Sequence, residues 1–210
     1  MKTIRIKNEQ NIQQIEHTVL VLGYFDGLHK GHQALFAEAR KIAVAKDLKI
    51  AVLTFPESPK LAFVRYQPSL MLHLTSPEER LQQLENLGVD YLYLVDFTSQ
   101  FARNTAEQFF TKYISRLKAK TVIAGFDYHF GSDRRSAEDL EKLFEGQVII
   151  VPSVNFNGVK ISSTRIRETV LAGNVAESNQ LLGYSLSTSG IVVHGNARGR
   201  TIGYPTANLA

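Results

Sequence analysis

A chain of 210 residues and 23.5 kDa is one large domain, or one domain and the start of a second. With 44% hydrophobic and 21% charged residues it is neither disordered nor fibrous, and the absence of cysteine removes disulfides, thiolate metal sites and cysteine nucleophiles. The net charge of +4 is uneven: residues 1–150 hold 19 basic and 18 acidic side chains, residues 151–210 hold 5 and 2.

In chain order, Met1 to Gln10 mixes Lys2, Arg5 and Lys7 with Glu9 and opens no signal-peptide block. Thr18 to Gly23 is a short apolar run ending in glycine, followed by a helical stretch from about His32 to Lys46. Lys49 to Phe55 is the second such run. Ser76-Pro77-Glu78-Glu79 is a capping box with proline at the first helical position. It predicts a helix that stops at Gly88, with Leu81, Leu84 and Leu87 as its buried stripe. Val89 to Val95 reads as a strand. Asn104 and Glu107 open a helix carrying Phe109, Phe110, Tyr113, Ile114 and Leu117. Thr121–Ala124 and Gln147–Val151 read as strands around a helix from about Ser136 to Phe144. Strands alternating with helices predict an α/β fold, a doubly wound parallel sheet covered on both faces. Two short helices, Thr164–Ala172 and Val175–Leu182, end at Gly183. Leu186 to Ala210 reads as strand, glycine-rich loop and strand, without helical period. The organisation expected is one domain over residues 1–183 and the opening of a β-type unit over 184–210.

No apolar run reaches the roughly 18 residues of a membrane-spanning helix. The chain is therefore expected to be cytoplasmic, with no membrane partner. Its basic surplus lies in Arg165, Arg167, Arg198 and Arg200 beside Gly and Ser, which suits phosphate on a small molecule better than a nucleic-acid track.

Four segments carry chemistry. The first, Gly23-Tyr24-Phe25-Asp26-Gly27-Leu28-His29-Lys30-Gly31-His32, falls where the first run hands over to a helix. That place is the ligand crevice of an open α/β sheet, and a helix N-terminus offers free N–H groups to phosphate. Two imidazoles there can both donate to phosphate oxygens, and the glycines let nucleotide and backbone approach. Ligation of a metal by the pair lacks a third ligand. The second, Ile161-Ser162-Ser163-Thr164-Arg165-Ile166-Arg167, places hydroxyls ahead of a helix, where they cap it beside arginines able to face an anion. The third is Gly125-Phe126-Asp127-Tyr128-His129-Phe130-Gly131, after a strand. The fourth runs from Gly190 to Leu209 and ends in Pro205-Thr206-Ala207-Asn208.

The first segment resembles the HxGH nucleotidylyltransferases. In its longer form, GxFDGxHxGH, it is similar to the adenylyltransferase module of bacterial bifunctional riboflavin kinase/FAD synthetases, matching at Gly23, Phe25, Asp26, Gly27, His29, Gly31 and His32. The resemblance implies FMN plus ATP giving FAD plus pyrophosphate, with Mg²⁺, for which Asp26 and Asp127 are the carboxylates at hand. His29 and His32 would act at the transferring phosphate, with Gly23, Phe25, Asp26, Gly27 and Gly31 around the ATP. The second segment resembles the ISSTxxR element, so Ser162, Ser163, Thr164 and Arg167 would hold the β- and γ-phosphates. Arg165 falls on a variable position and is expected to be solvated. Asp127 matches the flavin-side residue of the family's GxDFxFG segment; His129 stands where the family often has Arg and is given no role. The fourth segment resembles the opening of the riboflavin kinase module, where Thr206 and Asn208 would lie around Mg²⁺ and nucleotide. Most of that module is absent, so phosphorylation of riboflavin is expected only of a longer form.

One departure stands out. The family's TFxPHP reads Thr54-Phe55-Pro56-Glu57-Ser58-Pro59 here, with Ser58 where a His would stand. Two rival readings remain: an HxGH nucleotidylyltransferase with another acceptor, and a non-catalytic flavin- or nucleotide-binding regulator.

Overall fold

A computed structural model describes residues 1–12, 16–59 and 72–209. In chain order the elements are β1 (Lys2–Ile6), β2 (Thr18–Leu22), α1 (Lys30–Lys46), β3 (Lys49–Thr54), α2 (Pro77–Asn86), β4 (Tyr91–Val95), α3 (Ser99–Ala102), α4 (Ala106–Lys112) and β5 (Ala119–Gly125). There follow β6 (His129–Phe130), β7 (Arg135–Ser136), α5 (Leu140–Leu143), β8 (Gln147–Val151), β9 (Asn155–Phe156), β10 (Val159–Lys160), α6 (Ser163–Leu171) and α7 (Val175–Leu182). The last are β11 (Val192–Val193), α8 (Arg198–Thr201) and β12 (Asn208–Leu209).

Six strands form one parallel sheet in the order β1-β4-β3-β2-β5-β8. β2 is central and every residue of it is buried, as a continuous Val/Leu run dictates for a strand covered on both faces. Its side chains alternate between two cores. Val19 and Val21 pack with Leu35, Phe36 and Ala39 of α1 and Leu84 of α2, whereas Leu20 and Leu22 join Phe109, Ile114 and Leu117 on the opposite face. Each of these buried aliphatics contributes about 2 kcal/mol through lost water contact. The chain leaves β2 toward β3 on one side, and β5 lies on the other. The carboxyl ends of β2 and β5 therefore flank the point where the strand order reverses.

The capping box forms as written in the sequence. Ser76 Oγ accepts the Glu79 N–H at 3.1 Å, Glu79 Oε2 accepts the Ser76 N–H at 2.9 Å, and Leu84 is the fully buried member of the stripe. The helix expected over Asn104–Leu117 is α4 followed by a 3-10 turn, Ile114–Leu117. The one expected over Ser136–Phe144 is a 3-10 turn, Ala137–Asp139, running into α5. Two differences are larger. Lys2–Ile6 is an edge strand paired to β4, with only Ile6 buried. The segment read as free of helix contains α8, a single turn closed by the Arg200 N–H on the Ala197 carbonyl at 3.1 Å. One turn is too short to impose a period. α6 and α7 pack through Ile166, Leu181 and Leu182 into a third small core that also takes Ile161 and Leu74.

Candidate active site

The β2–α1 loop turns under unusual backbone constraint. Phe25, Gly27 and Leu28 adopt φ of 63°, 76° and 37°, the left-handed region that costs a non-glycine residue about 1 kcal/mol or more. The conformation drives the Phe25 ring inward, where it lies 5.2 Å from Phe36 and 5.3 Å from His32. The glycines of the motif accommodate the protein's own groups. A Cβ at Gly23 would lie 2.6 Å from the Phe25 ring, one at Gly31 3.0 Å from the His29 ring, and one at Gly27 2.7 Å from Leu74. At these positions glycine also lets the loop fold onto itself.

That loop delivers both imidazoles to the start of α1. His29 is the N-cap, its Nδ1 accepting the His32 N–H at 3.3 Å. The proton of the neutral His29 ring is thereby assigned to Nε2. The two rings stack with centroids 3.7 Å apart and 16° between planes. Burial pushes His29 down to about 4, opposed only in part by the carboxylates of Asp26 and Asp127. Burial and the neighbouring His29 push His32 well down too. Near pH 7 both rings are neutral, each with one N–H to offer. Nδ1 of His32 is buried and makes no hydrogen bond among the described residues.

Asp26, 3% exposed, anchors the loop to distant chain. Its Oδ1 accepts the Leu74 N–H at 2.9 Å and its Oδ2 the Arg167 Nη2 at 2.6 Å, while its carbonyl accepts from Ser163 Oγ at 2.9 Å. Arg167 also donates from Nε to the Leu72 carbonyl at 2.7 Å. Arg167 and the Ser163 hydroxyl, expected on phosphates, are thus engaged in holding the first motif against the second. Ser162 caps α6 by accepting the Arg165 N–H at 3.2 Å, and the exposed Thr164 hydroxyl makes no hydrogen bond among the described residues. What α6 presents to the crevice is its free first-turn N–H groups, the positive end of its dipole and Thr164. Arg165 is not solvated as expected. It donates to Glu177 at 2.8 Å and to the carbonyls of Phe156 and Val159 at 3.2 and 2.9 Å.

At the end of β5, Asp127 pairs with Lys160, whose ammonium also sits 4.5 Å from the Phe126 ring centroid. Lys160 was missed from sequence, although it immediately precedes the Ile161–Arg167 motif. A further wall comes from groups the sequence did not single out. Tyr24 Oη lies 3.3 Å from His73 Nδ1, and His73 Nε2 lies 3.5 Å from Glu57. Arg80, 6% exposed, donates to the carbonyls of Phe55 and Pro56 at 3.1 and 2.9 Å and places its guanidinium 5.1 Å from the Tyr24 ring.

All these segments meet in one cavity of about 580 Å³. Gly23, Phe25, Asp26, His29, Gly31 and His32 line it together with Asp127, Ser162, Ser163, Thr164 and Arg167. Tyr24, Ser58, His73, His129 and Lys160 line it as well. Gly27 does not; it lies behind, under Leu74. Thr206 and Asn208 line a separate cavity of about 260 Å³ within the β11–β12 segment. Among the described residues no three His, Asp or Glu stand together as a metal cage, and both crevice carboxylates already face cations.

A parallel, doubly wound sheet with paired imidazoles at its switch point has the architecture of an α/β nucleotidylyltransferase. Comparison with known proteins narrows the class. The model of the FAD synthetase family matches residues 11–165 and that of riboflavin kinase matches residues 182–210. The chain belongs to the FAD synthetase family. It is 42% identical over 194 residues to a bifunctional riboflavin kinase/FMN adenylyltransferase of Listeria monocytogenes, covering 91% of this chain and 62% of that protein. The Bacillus subtilis protein of the same name is 37% identical over 214 residues, covering 100% of this chain and 67% of the relative. A Streptococcus pneumoniae crystal structure described as a macrolide-efflux protein superposes with a TM-score of 0.94 at 57% identity, over 99% of this chain and 68% of that one. The chain thus spans roughly two thirds of the length of these relatives, and of the kinase part only a short opening is present. Among the described residues no helix is long and apolar enough to cross a membrane.

Proposed function

We propose that this chain transfers AMP from ATP to FMN, giving FAD and pyrophosphate. The observation that carries the reading is the stacked, neutral His29–His32 pair beside the capped N-terminus of α6, on one cavity. An oxygen of the FMN 5′-phosphate, already ionised at neutral pH, attacks the α-phosphorus, and the bond from that phosphorus to the pyrophosphate oxygen breaks. No strong base is required. The chain's task is to align the two phosphates and to meet charge that develops in transit. His29 offers Nε2–H to the transferring group, and His32, stacked on it, offers its own N–H. The α6 N-terminus and Thr164 receive the leaving pyrophosphate. Arg167 serves mainly by fixing Asp26, and Lys160 supplies the mobile positive charge at the rim. Asp127 lies on the flavin side.

Mg²⁺, which the family resemblance implies, would accompany the ATP phosphates and neutralise their charge, with Asp26 and Asp127 the carboxylates of this cavity. Residues 1–183 form the adenylyltransferase unit and residues 184–210 the opening of a kinase unit, with Thr206 and Asn208 belonging to the latter. A cytoplasmic location and small-molecule partners, without nucleic acid or membrane, complete the reading.

The test is chromatographic. Purified chain is incubated with ATP, Mg²⁺ and either FMN or riboflavin, and FAD and pyrophosphate are followed. FAD from FMN and none from riboflavin is expected. Pyrophosphate release with another acceptor but not FMN would assign a different substrate, and nucleotide binding without any release would mark a binding protein.

A further inference from the structure

Tyr24 and His73, with Glu57 behind them, have no part in the machinery at the transferring phosphate, yet Tyr24 and His73 line the same cavity beside Ser58. Their geometry fixes the imidazole. The Glu57 carboxylate can only accept, so His73 Nε2 presents its N–H to it, while Nδ1 faces Tyr24 Oη. Burial pushes Tyr24 up to about 12, which keeps that hydroxyl protonated. Arg80 in turn holds Tyr24 by lying over its ring, and it tethers the Phe55–Pro56 backbone. This buried guanidinium is received by the Phe55 and Pro56 carbonyls and by the Tyr24 hydroxyl. The Nε2–Glu57 contact is 3.5 Å long and Glu57 is 58% exposed, so the proton on Nε2 is loosely held and available to a better acceptor.

We propose that His73 binds the acceptor's phosphate: on arrival of a phosphate monoester its Nε2–H leaves Glu57 and donates to a non-bridging oxygen of that group. The inference rests on the reading of the site as one that adenylylates FMN. In this chain Ser58 occupies the place where the family pattern has an imidazole, and His73 brings one to the same cavity wall from a different segment.

Steady-state kinetics of FAD formation in wild type, His73→Ala and His73→Gln test it. His73→Ala is expected to raise the KM for FMN about tenfold or more, with the KM for ATP held within about twofold. His73→Gln, which restores an N–H near the lost Nε2, is expected to recover most of that. An unchanged KM for FMN in His73→Ala overturns the proposal, as do KM values for FMN and ATP that rise together without rescue by glutamine, the mark of a merely structural residue. Wild type that forms no FAD overturns the functional reading itself and this proposal with it, whereas active wild type beside an indistinguishable His73→Ala overturns only the latter.

Discussion

The two ends of this molecule handle their polar and apolar groups in opposite ways. In the body, up to Leu182 and Gly183, the sheet buries both faces, and even the carboxylate of Asp26, 3% exposed, is matched by the Arg167 guanidinium and the Leu74 N–H. In the segment that follows, Ile191, Val192, Ile202 and Tyr204 are 78%, 67%, 69% and 76% exposed. Such residue types normally face a core. The body can build a site because its core fixes the elements that carry it. Among the described residues the β11–β12 segment holds its motif residues by strand pairing and close backbone packing, Gly195 against Asn208 and Gly199 against the Tyr204 carbonyl. A motif becomes a site only when a packed scaffold positions it.

The comparison can be broken or sharpened by experiment. The strongest expected effect is on the buried ion pair. Asp26→Asn leaves Arg167 facing an amide and loosens the contact between the two motifs, and it is expected to lower stability by about 3 kcal/mol in urea unfolding. A loss under about 0.5 kcal/mol would mean the pair is incidental. His29→Asn keeps a side-chain acceptor at the N-cap but removes the imidazole donor. It is expected to cut turnover roughly 10²- to 10³-fold while ATP binding, read by titration calorimetry, stays nearly unchanged. Equal losses in both would remove His29 from the transferring phosphate.

Acidification probes the same ring without mutation. The folded pKa of His29 lies near 4 against 6.5 when unfolded, so the unfolded chain binds the proton first. Its contribution is complete above about pH 6.5 and is lost as pH falls toward 4, by about 3 kcal/mol in all. Asparagine at position 29 should flatten that slope, and a slope unaffected by the substitution would place the titration elsewhere. The smallest effect is expected from the other end of the molecule. Removing residues 190–210 should leave the unfolding midpoint of the body and its FAD formation unchanged within about 0.5 kcal/mol, because no hydrogen bond links that stretch to the body among the described residues.

Much of the fold was legible because its signals are local. The Ser76 capping box, the Gly88 stop and the Val/Leu run of β2 each declare themselves within a few residues. β1 escaped notice because an edge strand with one buried residue has little apolar pattern, and its partner is β4, far along the chain. At the site, the paired histidines and the α6 cap could be read directly. The partners that decide their behaviour could not. Arg167 reaches Asp26 across 141 residues, Lys160 reaches Asp127 across 33, and His73 reaches Tyr24 across 49. Arg165 shows the same limit, since only the packing of α6 on α7 brings Glu177 to it.

The Asp26–Arg167 pair also ties the first motif to a distant part of the chain. Chains emerge N-terminus first, and contacts between distant residues wait for the later one. All six strands of the sheet lie at or before Val151, whereas the arginine that pairs with the buried Asp26 carboxylate lies beyond them. That counter-charge comes only with α6, so the wall Asp26 helps to build depends on a helix that lies beyond the sheet in the chain.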